Sequence, residues 1–349
     1  MKKRLLALGL AGIMMLGALA GCAGTGEKKP DAASKPAGSN AAADAKDTAD
    51  TGRKLKIGMS LAQRDQFLTN CEQAALKLAE QDGNVELKVF DANNDISAQI
   101  SQVQTCASDD YDAMIVALCN NDSGAEIIQA AGDMPVAFFN RMPTDLSILD
   151  EKHCYVGMDE SEAGKAQGEY LASLFKGKGP DLNAVLLMGP LGQDSVSKRT
   201  DGVKAALKDA GFNVTYVYED TAEWDRAKAM DKFTQFMGTG KPYDMVICNN
   251  DDMALGVAEA MKTSDKGEIT VPIVGIDATE NGCNAVKDGT LKMTVNQNPI
   301  GQGEGALKCA VDLANGKVPS IVNDQYVLFT PADKVTTDNV DEFLKSFEG

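Results

Sequence analysis

Short apolar runs alternate along the chain with stretches in which apolar residues recur every three or four positions. The runs KLKIGMSL, VELKVFDA, AMIVALC, PVAFF, CYVGM, AVLLM, VTYVY, DMVICN, VPIVGID and LKMTVN are mostly apolar on both faces, as in strands covered from both sides. Between them, segments such as FLTNCEQAALKLAEQ and MALGVAEAMKT carry helical periodicity. This β-α alternation predicts an α/β fold built on parallel sheets flanked by helices. About ten strands over roughly 290 residues are more than one sheet comfortably holds, so two doubly wound lobes are expected.

In such sheets ligands bind outside the carboxyl ends of the strands, which makes the residues after each run the candidates. Gln63, Arg64, Asp65, Gln66 and Phe67 follow the first run, Cys119, Asn120, Asn121 and Asp122 the third, and Asn140 with Arg141 the fourth. In the second half come Gln193, Asp194, Ser195 and Arg199, then Glu223 and Trp224, Asn249 with Asn250 and Asp251, Asp277, and Asn296 with Gln297. Carboxylates accept from hydroxyls, guanidinium groups and amides donate to them, and an aromatic ring can cover an apolar C–H face. That set suits a neutral polyhydroxylated ligand. Trp224 is the sole tryptophan, and two readings stay open for it. With Ala227, Met230, Phe233 and Met237 it falls at helical spacing and can begin a core stripe, or its ring faces a ligand.

A chain that is 44% hydrophobic and 24% charged can bury a substantial core, and a formal net charge of −17 works against nucleic acid as a partner. The first 22 residues differ from the rest: Lys2, Lys3 and Arg4 precede the apolar run LLALGLAGIMMLGALA, which reads as a secretory signal. The run closes on Leu19-Ala20-Gly21-Cys22, which resembles the lipobox of bacterial lipoproteins, so Cys22 is the expected acylation site and mature N-terminus. Residues 23–53 contain no aromatic and no Val, Leu, Ile or Met, so they have nothing to bury and are expected to form a tether, with folding from Lys54. The other seven cysteines form no CxxC pair and several lie in apolar stretches, as free thiols do.

Signals for catalysis are thin. SVSK, Ser195 to Lys198, matches a penicillin-binding S-x-x-K without its K-T-G. His153 is the only histidine, which leaves no metal pair and no obvious base. DANND, Asp91 to Asp95, starts like a calcium loop but has Ile96 and Gln102 where glycine and glutamate belong. Neither a Walker A nor a Rossmann glycine pattern is present.

The blocks VAFFNRMP, YVGMDESEAG, DTAEWDRAKAMDKF, ICNNDDMALGVAEAMK, VGIDA and TVNQNPIGQG resemble, in this order, the periplasmic sugar-binding proteins of the ribose and glucose/galactose type, the solute receptors of ABC importers. The likeness runs from Lys54 to the C-terminus. It implies a two-lobed, type I binding-protein fold with a three-segment hinge, one lobe being 54–157 plus 298–323 and the other 158–297 plus 324–349. By the resemblance, Asp65, Phe67, Asn140 and Arg141 match binding positions of the first lobe, and Arg199, Trp224, Asn250, Asp277 and Gln297 match those of the second. Phe67 and Trp224 would close on opposite faces of the sugar.

The chain also departs from that pattern. Where the glucose/galactose type has a histidine and an aspartate before the arginine, Gln193 and Ser195 align, with Asp194 the alternative if the loop slips by one. Cys119 aligns with the third-strand asparagine, and Asn120 is a shifted candidate. The calcium loop of the glucose/galactose type retains only Asp181 and Asn183 here, so no metal and no cofactor are expected. The resemblance implies no enzymatic activity. It implies a monomeric receptor, lipid-anchored outside the cell, that captures a monosaccharide such as an aldohexose for an ABC permease. A sensor module, or a receptor for a pentose, inositol or other polyol, is the alternative. A LacI-type repressor domain shares the fold, but here a signal sequence replaces the DNA-binding helices.

Overall fold

Strands and helices alternate through the first lobe as far as its fourth strand, after which a short 3-10 turn leads to the next strand. The computed structural model describes residues 53–347; the expected leader at 1–22, its acylation site Cys22 and all but Arg53 of the expected tether lie outside them. The chain runs β1 (Leu55–Leu61), α1 (Gln66–Asp82), β2 (Val85–Asp91), α2 (Ile96–Ser108), β3 (Ala113–Val116), α3 (Gly124–Ala131), β4 (Val136–Phe139) and β5 (His153–Met158). It continues with α4 (Glu160–Leu174), β6 (Asp181–Met188), α5 (Asp194–Asp209), β7 (Asn213–Thr221), α6 (Arg226–Met237) and β8 (Met245–Cys248). Then follow α7 (Asp251–Thr263), β9 (Ile273–Val274), α8 (Glu280–Lys287), β10 (Thr294–Asn296), α9 (Pro299–Ala314), β11 (Val327–Thr330), β12 (Asp333–Val335) and α10 (Val340–Leu344).

The first sheet has the order β2-β1-β3-β4-β5-β11 with every neighbouring pair parallel. The second has the order β7-β6-β8-β9, also parallel, and bridges at Val274–Met293 and Asp277–Asn296 extend it to β10, which pairs antiparallel with β12. Both orders reverse beside their first strand, between β1 and β3 and between β6 and β8, and such switch points open a crevice at the carboxyl ends.

Burial on both faces explains the apolar runs. In β3, Ala113 and Ile115 pack with α1 and α9, against Leu68, Cys71, Leu307 and Cys309, while Met114 and Val116 pack on the other face with Val103, Cys106 and Ile127. The second sheet is covered in the same way, by α4 and α5 on one side and by α6, α7 and α8 on the other. Cysteine serves here as a small hydrophobe: six of the seven among the described residues are buried.

Ten of the twelve strands coincide with the ten apolar runs; β11 and β12 were not anticipated. Their presence changes a boundary. The last crossing between lobes was expected near residue 323, but β11 pairs with β5 through Thr330. The chain therefore stays with the first sheet to Thr330 and crosses between it and Asp333. His153 opens β5 with its Nδ1 2.7 Å from Asp150 Oδ1, a structural role. Asp91–Asp95 is the end of β2 and a tight turn, not an ion loop.

Helices α4 and α5 meet through glycine: a β-carbon at Gly164 would overlap the Arg199 carbonyl oxygen. Replacing Gly164 with alanine is expected to lower the melting temperature by about 5 °C, the shift for about 2 kcal/mol of overpacking. Thermal unfolding followed by circular dichroism checks this, and an unchanged midpoint would mean that the helices slide apart at no cost.

Candidate functional site

Helix caps set the first-lobe wall of the crevice. Asp65 caps α1, its Oδ1 accepting from Leu68 N–H at 2.8 Å, and its Oδ2 accepts from Gln63 Nε2 at 3.0 Å. Phe67, in the first turn of α1, packs into the first-lobe core and also lines the crevice. Asn140 follows β4 with a left-handed φ of 60°, and its carbonyl accepts from the Tyr155 hydroxyl at 2.9 Å. The buried Arg141 donates from Nη1 to the carbonyls of Leu118 at 3.1 Å and Cys119 at 3.4 Å. Burial pulls its pKa down, and the charge of Asp65 opposes that pull.

The second-lobe wall is organised around Arg199, which is 4% exposed. Its Nε donates to Glu160 Oε2 at 2.6 Å and its Nη1 to the Asn249 carbonyl at 2.7 Å, while Nη1 lies 3.7 Å from Asp277 Oδ1. Despite burial, the neighbouring carboxylates Glu160 and Asp277 keep the guanidinium charged. Its carbon sits 5.4 Å from the centre of the Trp224 ring, within cation–π range.

Trp224 is placed by a turn and by what surrounds it. Glu223 and Trp224 have φ of 55° and 64°, and Asp225 N–H donates to the Ala222 carbonyl at 2.9 Å, a type I′ turn made without glycine. Trp224 Nε1 donates to Gln193 Oε1 at 2.9 Å. A β-carbon at Gly189 would run into the ring, so the indole lies directly over that backbone. Part of the ring packs on the second-lobe core and part lines the crevice. The first lobe has a matching turn between β2 and α2, where Asn93 and Asn94 have φ of 50° and 56° and Asp95 N–H donates to Ala92 O at 2.9 Å. Asn94 thus stands in the first lobe where Trp224 stands in the second.

Asp277 has a φ of 129°, a conformation that side chains rarely adopt and that the surroundings must impose. The fully buried Asp251 helps to impose it. Thr279 donates to Asp251 Oδ2 from its backbone N–H at 3.0 Å and from Oγ1 at 3.3 Å, Thr294 Oγ1 donates to Oδ1 at 2.6 Å, and Ala278 N–H donates to Thr294 Oγ1 at 3.1 Å. Asp277 Oδ1 accepts from Gln297 Nε2. Burial pushes the Asp277 carboxyl well above its usual range, against the pull of Arg199; burial likewise raises Asp65, with Asp252 adding to the rise. Gln297 is 2% exposed, and its Oε1 has no partner. Asn250 caps α7 by accepting from Met253 N–H at 2.9 Å and reaches the Trp224 carbonyl at 3.5 Å.

These groups line one cleft, open at its mouth, with an internal free volume of about 40 Å³. Of the residues singled out in the sequence, Asp65, Phe67, Asn140, Arg141, Gln193, Ser195, Arg199, Trp224, Asn250, Asp277 and Gln297 are brought together along it. Three predicted residues do not. Asp194 pairs with Lys198 at 2.7 Å and faces an adjoining hollow, so the unshifted alignment of Gln193 and Ser195 is the one that reaches the cavity. Cys119 and Asn120 line a separate space. Cys119 turns its Sγ toward the Ala62 carbonyl at 3.9 Å, burial pushing the thiol up to about 11, and Asn120 is spent capping a turn through Asp122 N–H at 2.9 Å. Two lining residues were missed, Glu160 and Asp252. Each sits at a helix start directly after a strand, the same signal that marked the others. Asp252 also accepts from Arg226 Nη2 at 2.6 Å.

Two parallel-sheet lobes with a polar, aromatic-walled cavity at their carboxyl ends define a two-lobed binding protein. The chain belongs to the periplasmic binding protein family, whose domain model matches residues 57–318. It is 32% identical over 291 residues to a putative rhizopine-binding protein of Rhizobium meliloti, covering 82% of this chain and 92% of that one. It is also 32% identical over 308 residues to the D-galactose/methyl-galactoside binding periplasmic protein of Haemophilus influenzae, covering 83% and 92%. Among solved structures, an ABC transporter solute binding protein from Bacillus halodurans C-125 with bound myo-inositol superposes with a TM-score of 0.75 at 30% identity, covering 84% of this chain and 98% of that one.

The cage around Asp251 gives a pH prediction. Burial pushes its carboxyl up to about 7, above its value in the unfolded chain. The stability it contributes is therefore present in acid and lost as pH rises through about 7. From about pH 5 to about pH 8 the melting temperature of the wild type is expected to fall relative to that of Asp251→Asn. Parallel curves would show that Asp251 does not titrate in that window.

Proposed function

We propose that the chain is an extracytoplasmic solute-binding protein that closes two lobes around one monosaccharide or similarly sized polyol and presents it to an ABC permease. The observation that carries this reading is the composition of the cavity wall. An indole ring lies beside Arg199, Asp277 and the unpartnered Oε1 of Gln297. A sugar ring offers an apolar C–H face to the indole and a rim of hydroxyls, each able to donate to a carboxylate or amide oxygen and accept from a guanidinium group. Relatives described as binding galactose or holding myo-inositol support a ligand of this chemistry. An aldohexose, with Phe67 covering the face opposite Trp224, is the form we favour.

The same reading assigns a lipid anchor at Cys22, which would hold a monomeric receptor at the outer face of the membrane beside its permease. The lobes would be 54–157 with the return segment through Thr330, and 158–297 with the remainder. Only a ligand that touches both lobes favours the closed arrangement over the open one, so closure reports occupancy.

Because Trp224 is the sole tryptophan, intrinsic fluorescence reports this site alone. Titration with D-glucose, D-galactose, D-ribose and myo-inositol is expected to shift the emission with at least one of them, and the same compound is expected to raise the melting temperature. A flat response to the whole panel in both measurements would sink the proposal. For the compound that binds, calorimetry is expected to show at least a tenfold weaker Kd for Trp224→Ala and about a hundredfold for Asp277→Ala, a charged hydrogen-bond partner. Wild-type affinity in Asp277→Ala would remove that carboxylate from the site.

A further inference from the structure

The chain crosses between its two sheets three times, after β5, after β10 and after β11. One side chain touches all three crossings. Thr330 closes β11 and is buried, and its Oγ1 lies 3.2 Å from the carbonyl oxygen of Gly157 at the first crossing and 3.2 Å from that of Gln297 at the second. The Gln297 carbonyl also accepts from Gln302 Nε2 at 2.8 Å, and Gln302 Oε1 faces Asn140 Nδ2 at 3.5 Å. A continuous polar line therefore runs from Asn140 through Gln302 and Gln297 to Thr330 and Gly157. Two of its members, Asn140 and Gln297, line the cavity from opposite lobes.

We propose that Thr330 is a positioning residue that couples occupancy of the cavity to the angle between the lobes, by holding the Gln297 backbone in register with the first crossing. A hydroxyl has one proton, so it either splits it between the two carbonyls or commits it to one. Both carbonyls lie equally near, which is the arrangement of a shared bond. Rotation of one lobe about the crossings must change the φ and ψ angles of those segments, and the two carbonyls cannot both stay within reach of Oγ1 as the crossings part. A ligand held by the Gln297 side chain fixes that residue, and with it the acceptor that Thr330 needs. The inference rests on the proposed polyol-binding role for its ligand arm, but the lobe angle can be read without any ligand.

The test uses the mature chain as wild type, Thr330→Val, Thr330→Ser and Thr330→Ala. Affinity is read with whichever of D-glucose, D-galactose, D-ribose and myo-inositol the wild type binds, and the ligand-free radius of gyration by small-angle X-ray scattering. Thr330→Val, which keeps the shape and loses the donor, is expected to weaken Kd about tenfold and to enlarge the ligand-free radius of gyration. Thr330→Ser, which keeps the donor, is expected to restore both. Serine and alanine separate the hydroxyl from the methyl if valine does not fold, since serine alone is expected to behave as wild type. Wild-type affinity and scattering in the valine variant, or equal defects in serine and alanine, would overturn the proposal. If the wild type binds none of the four compounds the polyol reading fails, and the scattering comparison alone then decides the role of Thr330.

Discussion

The second-lobe site depends on one buried cation. A guanidinium group taken out of water must be paired, since an uncompensated buried charge costs several kcal/mol, and Arg199 meets that demand with groups from three different places. Glu160 starts α4, Asn249 follows β8 and Asp277 follows β9. Those partners are not neighbours in sequence, so satisfying one charge fixes the relative position of an entire wall. The same guanidinium lies over the Trp224 ring, and the indole is pinned further by Gln193 and by the bare backbone of Gly189. A ring held on three sides needs no rearrangement to receive a flat apolar ligand face, which reduces the ordering cost of binding.

The two lobes repeat one device with different contents. After the second strand of each sheet the chain makes a type I′ turn ending in an aspartate that caps the next helix, Asp95 for α2 and Asp225 for α6. The outer position of that turn points between the lobes. It is Trp224, which lines the cavity, in the second lobe and Asn94, which lines the separate space beside Cys119 and Asn120, in the first. Asn94 bonds Gln63 and lies 3.5 Å from Arg141 Nη1, which keeps the first-lobe wall polar. The two turns thus share a backbone and differ in what the substituted position does, a polar bridge in the first lobe and a cavity wall in the second.

Much of this was legible in the sequence because parallel strands buried on both faces write unbroken apolar runs, and because the rule that ligands collect after such strands is geometric. Eleven of the lining residues follow from that rule and the family resemblance. What escaped did so for local reasons. β11 and β12 have four and three residues, too short for a period to show, and β11 leaves Phe329 46% exposed on its outer face. Missing them put the last crossing seven residues early. Asp194 and Cys119 were ambiguous by one position, and one position in a helix turn or at a strand end decides which way a side chain faces. Glu160 was readable as an ordinary first-turn acid of α4; only the folded chain reveals the arginine it serves.

The electrostatics of the cavity narrow the chemistry further. Burial holds Asp65 and Asp277 above their usual range, the charge of Asp252 adds to the rise of Asp65, and the charges of Asp251 and Asp65 add to that of Asp277. Expelling water from that space removes the donors that make such proximity tolerable, and like charges at low dielectric repel more strongly. The occupant must therefore return donors to several carboxylate oxygens at once and also one to Gln297 Oε1, which has none. An anion would add to the repulsion, and an apolar molecule would leave Gln297 Oε1 unpaired at a cost of about 1–3 kcal/mol. A compact ring bearing hydroxyls around its rim supplies a donor at each position while the indole covers its face, and it is the acceptors, more than the aromatic wall, that demand it.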